Sequence, residues 1–284
     1  MKVLITGAGG YIGSYLSAYL ERSNHSIIRN DKINGGNIDV VCEYWNIPEK
    51  CFLGVDLVIH LAAHSSVASS IEQPFQAIEN NTTRLVSFMY SLSKFSIPTL
   101  YASSGSIHSS TYDRNFNVSP NCVNPYDASK LSADLIIKAL NIPALSMRFG
   151  TVSGISQKTR LELIFNAMNV SALRQNYVKV ANQSNLRSIL FLDDLAKYID
   201  IFVDRLDLLR GYKEVSLSSW SGTIGQLGSE ISEFYGVELQ GEPPSGTYSF
   251  VLTDQEFREI YGEPFTKATV RSQCEKFSLQ WRLI

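Results

Sequence analysis

The chain opens on a short β-branched run, Lys2–Thr6 (KVLIT), that stops at Gly7, after which apolar residues recur at helical spacing over Tyr11–Arg22. Ser26–Asn30 predicts a second strand, closed by Asp31 and the Gly35-Gly36 pair. Val55–Leu61 (VDLVIHL) is nearly all apolar, the pattern of a strand buried on both faces. A helix is expected over Ala77–Lys94, a strand over Pro98–Ser103, a helix over Pro125–Leu140 and a strand over Ala144–Phe149. Such alternation predicts an α/β fold with a doubly wound parallel sheet and helices on both faces. The interval between the second strand and Val55 is short for a full crossover, so its helix is expected to be trimmed or missing.

Past residue 150 the pattern loosens. Leu161–Leu173 reads as a helix, Tyr177–Ala181 as a strand and Asp193–Leu209 as a helix, and the tail from Gly222 mixes short helices with loops such as GEPPSG. No internal repeat is apparent. The expected division is a dinucleotide-binding domain over 1–150 and a smaller lobe built mainly from 151–284, with some of its elements returning to the core.

Composition narrows the function classes. A chain of 284 residues, 44% of them hydrophobic, can bury a full core. A net charge of -2 gives no electrostatic case for nucleic acid or an anionic membrane. No stretch approaches the roughly 18 apolar residues of a membrane span. Glycines cut short the first apolar run, so it reads as a strand and not as a secretion signal. The four cysteines contain no Cys-x-x-Cys, and His25, His60, His64 and His108 lack metal-site spacing, so neither a disulfide framework nor a metal is expected. His60 reads as a packed residue. A reducing cytoplasm is the expected compartment.

Gly7, Gly10 and Gly13 form G-x-x-G-x-x-G between a strand and a helix. Glycine allows the tight turn and lets backbone approach a pyrophosphate, which the helix N-terminus attracts. Asp31 ends the next strand, where a carboxylate accepts both ribose hydroxyls of a dinucleotide and repels a 2′-phosphate. That points to NAD over NADP, with Lys32 beside it as the residue able to soften the choice. Tyr126 and Lys130 stand at i and i+4, where an ammonium is expected to lower the phenol's pKa and make it a usable acid/base. Ser103-Ser104 end the preceding core strand, so a Ser104 hydroxyl there shares the substrate oxygen with Tyr126.

In this order the segments resemble the extended short-chain dehydrogenase/reductase family, the NAD-dependent epimerases and dehydratases, and within it the nucleotide-sugar 4-epimerases most. The resemblance rests on VLITGAGGYIGS, HLAAHSSVASSIEQPFQAIENN, YASSGSIH, PYDASK and RSILFLDDLA, which together span roughly residues 1–200. It implies a Rossmann-type sheet with a C-terminal substrate-binding lobe, and catalysis by Ser104, Tyr126 and Lys130. It implies NAD contacts from Gly7, Gly10, Tyr11, Ile12, Gly13, Asp31, Leu61, Ala62, Ala63, Asn81, Tyr126 and Lys130. Substrate contacts fall on Ser65, Ser104, Thr151, Asn166 and Arg187, with Arg187 at the diphosphate and Arg160 in a substrate-facing loop.

Four departures stand out. His108 and Ser109 occupy a usual Tyr-Gly, and Thr151 occupies a usual Asn. Glu43 takes the place of the acid that meets adenine. Gly105-Ser106 replace the Asp-Glu pair that dehydratases of the family use, which argues against water elimination. The implied activity is NAD-dependent inversion of a nucleotide-activated sugar at C4 through a 4-keto intermediate, in a homodimer paired through the 77–94 and 125–140 helices. The alternatives are a nucleotide-sugar 4-ketoreductase and, of a different class, a non-catalytic dinucleotide-binding protein.

Overall fold

The computed structural model describes residues 1–35, 37–108, 120–244, 246, 248–263 and 265–281. Alternate residues of the first strand, β1 (Lys2–Thr6), send Val3 and Ile5 to one face and Leu4 to the other. Each face therefore needs its own cover.

On the first face lie α1 (Tyr11–Arg22), with Leu16 and Leu20, and α7 (Leu192–Asp204), with Leu195, Tyr198, Ile199 and Phe202. On the second, Leu4 packs with Phe88 and Met89 of α4 (Arg84–Ser93) and with Ala133 and Ile137 of α5 (Pro125–Leu140). Between these layers run β2 (Ser26–Asp31), β3 (Val40–Val41), β4 (Leu57–His60), β5 (Thr99–Ser104), β6 (Ala144–Phe149) and β10 (Tyr212–Leu217). The strand order is β10-β6-β5-β4-β1-β2-β3, and every pairing is parallel. This is the expected doubly wound sheet, and its order reverses between β1 and β4, where a crevice opens beyond the strand ends.

The connection from β2 to β4 carries no α-helix among the described residues; β3 and two 3₁₀ turns, Tyr44–Asn46 and Glu49–Phe52, replace it. The helix expected over 77–94 is present and starts earlier: α3 (Pro74–Ile78) runs through a π-helical turn over Glu79–Thr83 into α4, and a short helix, α2 (Val67–Glu72), precedes it. π turns recur at functional sites because they re-aim side chains without ending the helix.

Beyond β6 the chain forms β7 (Thr151–Ser153), α6 (Ile164–Gln175), β8 (Tyr177–Val180) and β9 (Leu186–Phe191). After β10 come β11 (Trp220–Thr223), α8 (Ile224–Tyr235), β12 (Glu238–Gly241), α9 (Gln255–Tyr261) and α10 (Val270–Trp281). A separate core joins α6, β8, β9, α8 and α10 through Phe165, Val178, Phe191, Leu227 and Phe277. The strand β10, the helix α7 and Phe257 of α9 belong to the first core, so the chain crosses residue 150 and returns.

Candidate active site

The turn after β1 has the conformation its glycines predict. Gly7 adopts φ +70°, and a Cβ on Gly13 would lie 2.1 Å from the Gly7 carbonyl oxygen, so no larger residue fits there. Gly10 caps α1 without a side chain, which leaves the first N–H groups of the helix open to an anion. Asp31 is aimed at this turn: its carboxylate accepts from the Gly9 N–H at 3.0 Å and the Ile33 N–H at 3.1 Å.

A cavity of about 280 Å³ runs from here to Ala102 of β5. Its walls include Gly7, Gly10, Tyr11, Ile12, Gly13, Asp31, Leu61, Ala62 and Ala63, all of them expected at a cofactor. Glu43 and Lys32 also line it, with Lys32 Nζ 3.9 Å from the Glu43 carboxylate. The glycine cradle, the open helix start and the oriented carboxylate fit a dinucleotide. Ser65 lines this cavity, not the one that contains Arg187.

Asn81, expected at the cofactor, is buried, and its amide bonds the His64 backbone and Ser129 Oγ at 2.9 Å, tying the loop after β4 to α5. Its neighbour Asn80 lines the cavity.

Asn124 caps α5 by accepting from the Asp127 N–H at 2.9 Å, and Pro125 follows at the first helical position. One turn of this helix carries Tyr126, Asp127 and Lys130. Burial pushes the Tyr126 phenol up to about 12, while its hydrogen bond with Ser104 pulls the other way. The expected lowering by Lys130 is therefore not what dominates. The Lys130 ammonium turns to the Ala102 carbonyl at 2.7 Å and to the Tyr101 hydroxyl at 3.3 Å, 4.8 Å over that ring. Burial lowers its own pKa to about 8.

His60 packs behind, its Nδ1 2.7 Å from the Thr6 hydroxyl, with burial and then Lys130 holding its pKa near 3. Ser104 lies 2.8 Å from Ser106 Oγ, and Ser106 donates to the fully buried Asp127 carboxylate. A hydroxyl chain thus connects the phenol to a carboxylate; Ser106 and Asp127 were not singled out as site residues from the sequence.

Thr151 and Arg187 line a second cavity of about 690 Å³, between α6 and β9. Arg187 is buried, donates to the Tyr248 carbonyl at 2.7 Å, and lies 4.7 Å over the Phe250 ring. Its Nε has no hydrogen-bond partner among the described residues, and burial lowers its pKa. An unpaired buried guanidinium nitrogen calls for an anion.

The Tyr248 side chain hydrogen-bonds Ser106 and Asn124, so it bridges the Arg187 cavity and the Tyr126 helix. No local signal in the GEPPSG tail marks it. Asn166, expected at the substrate, lies inside the protein. It is fully buried, accepting from the Gly154 N–H and donating to the Tyr11 hydroxyl and the Arg160 carbonyl, so its amide is spent on holding loops. His108 Nε2 lies 3.5 Å from Arg148, and Ser109 falls outside the described residues.

Among the described residues no cluster of metal-ligating side chains occurs, and no helix is long and apolar enough to cross a membrane.

The profile described as the NAD dependent epimerase/dehydratase family matches residues 3–217. Protein CapI of Staphylococcus aureus is 26% identical over 281 residues, covering 88% of this chain and 81% of that protein. The dTDP-D-glucose 4,6-dehydratase of Dictyostelium discoideum is 28% identical over 246 residues, covering 71% of this chain and 55% of that protein. Among solved structures, a UDP-glucose-4-epimerase from Stenotrophomonas maltophila, with bound NAD and formylated UDP-arabinopyranose, superposes with a TM-score of 0.87 at 16% identity. It covers 100% of this chain and 98% of that one.

Proposed function

The chain belongs to the NAD-dependent epimerase/dehydratase family, enzymes whose cofactor is NAD, and from that premise we propose that it inverts C4 of a nucleotide-activated sugar through a 4-keto intermediate. The observation that carries this reading is the position of Tyr126. Ser104 is its hydrogen-bond partner, and Tyr248, which hydrogen-bonds Ser106 and the Asn124 cap of the same helix, lies 5.5 Å beneath the Arg187 guanidinium. A buried phenol with a serine partner, linked through Tyr248 to an anion site, suits proton transfer at a sugar hydroxyl.

NAD, when bound, supplies a reversible hydride acceptor at C4. Tyr126, assisted by Ser104, takes the C4 hydroxyl proton. Arg187 holds the diphosphate while the flat 4-keto sugar turns its other face to the same groups, and Tyr126 then returns the proton. Gly105 and Ser106 offer no carboxyl for water elimination, which disfavours the dehydratase reaction.

A homodimer is part of the proposal. Ile71, Phe75, Tyr90 and Leu135 are exposed on the α2–α5 layer, apolar side chains that a second copy would cover.

The test is turnover of UDP-glucose or UDP-galactose with only catalytic NAD. The epimer should form with no added reductant. A protein that acts only on 4-keto sugar nucleotides, consuming one reduced cofactor per product, is a ketoreductase.

A further inference from the structure

The two cavities share a wall. Arg160 lines the glycine-turn cavity, while Leu161, Glu162, Leu163 and Ile164, next in sequence, line the cavity of Arg187. The backbone of Arg160 is pinned from below. Its carbonyl accepts from Asn166 Nδ2 at 2.9 Å, and the same amide group lies 3.4 Å from the Tyr11 hydroxyl. Tyr11 begins the helix that opens at the glycine turn, so the arginine is fixed relative to that turn and not merely near it.

Its side chain is less committed. Arg160 Nε donates to the Glu162 carboxylate at 2.7 Å, and both partners are partly exposed. An exposed pair of this kind is worth only about 0–1 kcal/mol, so a doubly charged anion readily displaces the carboxylate. The cavity's other cation, Lys32, stands by Glu43 and Asp31 at the opposite, ribose end.

We propose that Arg160 is a cofactor clamp whose guanidinium exchanges Glu162 for the pyrophosphate of NAD. Sequence position alone assigns Arg160 to the substrate; its place in the structure assigns it to the cofactor. The proposal rests on the cofactor lying along the glycine turn, as described above.

Calorimetry with NAD, ADP-ribose and adenosine tests it on the full chain and on two variants whose fold is checked by circular dichroism. Arg160→Gln should weaken NAD and ADP-ribose by about tenfold or more, the loss of one charge-assisted contact, and leave adenosine unchanged. Glu162→Gln, which frees the guanidinium, should tighten NAD and ADP-ribose a few-fold. Arg160→Gln binding ADP-ribose as tightly as the parent, or losing adenosine by the same factor, would overturn the clamp. So would a Glu162→Gln variant with unaltered affinities. A parent chain that binds no ADP-ribose would instead remove the underlying cofactor placement.

Discussion

Tyr126 carries the chemistry of the proposal and meets its environment through one hydroxyl. Tyr126→Phe keeps the ring and should bind NAD as the parent does, while the turnover rate falls by about 10²–10⁴, the usual worth of a positioned acid/base. Parallel calorimetry and rate measurement check both halves. Turnover within a few-fold of the parent would remove the phenol from that role. Lys130 makes a separate prediction through stability. Its pKa is about 8 when folded, against an ordinary 10.5, so between these values the unfolded chain binds more protons than the folded one. Stability should therefore rise with pH across that window, and below it the full penalty of a buried ammonium remains. Urea unfolding of the parent, relative to Lys130→Met, should gain up to about 3 kcal/mol from pH 8 to pH 10.5. A flat difference would mean that Lys130 reaches water.

At the scale of elements, the glycine turn depends on backbone alone. Gly13→Ala puts a Cβ against the Gly7 carbonyl, so β1 and α1 must separate, at a cost of about 1–3 kcal/mol. Thermal unfolding should show the loss, and NAD affinity should drop with it. Unchanged stability and affinity would mean that the turn has slack. This turn is legible because its signal is local: β1, α1, α5 and β6 occupy the spans that the glycine turn and the apolar runs predict. Where pairing is distant, the sequence was mute. No strand was expected at β10, which pairs with β6, nor at β9, which pairs with β7 and β11. The π turn at 79–83 leaves no mark in the sequence pattern, and neither does the difference between Asn80 at the cavity and the buried Asn81. Asn166 leaves no mark for a related reason: a polar residue in this helix looks the same in sequence whether its amide faces a ligand or bonds Gly154, Arg160 and Tyr11.

For the whole molecule, the parallel sheet supplies the cofactor crevice, and the later elements build the neighbouring cavity of Arg187. The exposed apolar helix layer gives the assembly prediction. Leu135→Glu should lower the solution mass from twice 31.7 kDa to 31.7 kDa by sedimentation, and a parent that already runs at 31.7 kDa would contradict a dimer. The central claim is that hydride leaves C4 of the sugar and returns to C4. UDP-galactose carrying deuterium at C4, incubated with the protein and catalytic NAD, measures this directly. The account predicts UDP-glucose that keeps the deuterium at C4, with reduced cofactor unchanged at the end. Product without the label, or reduced cofactor changed in step with product, would contradict it.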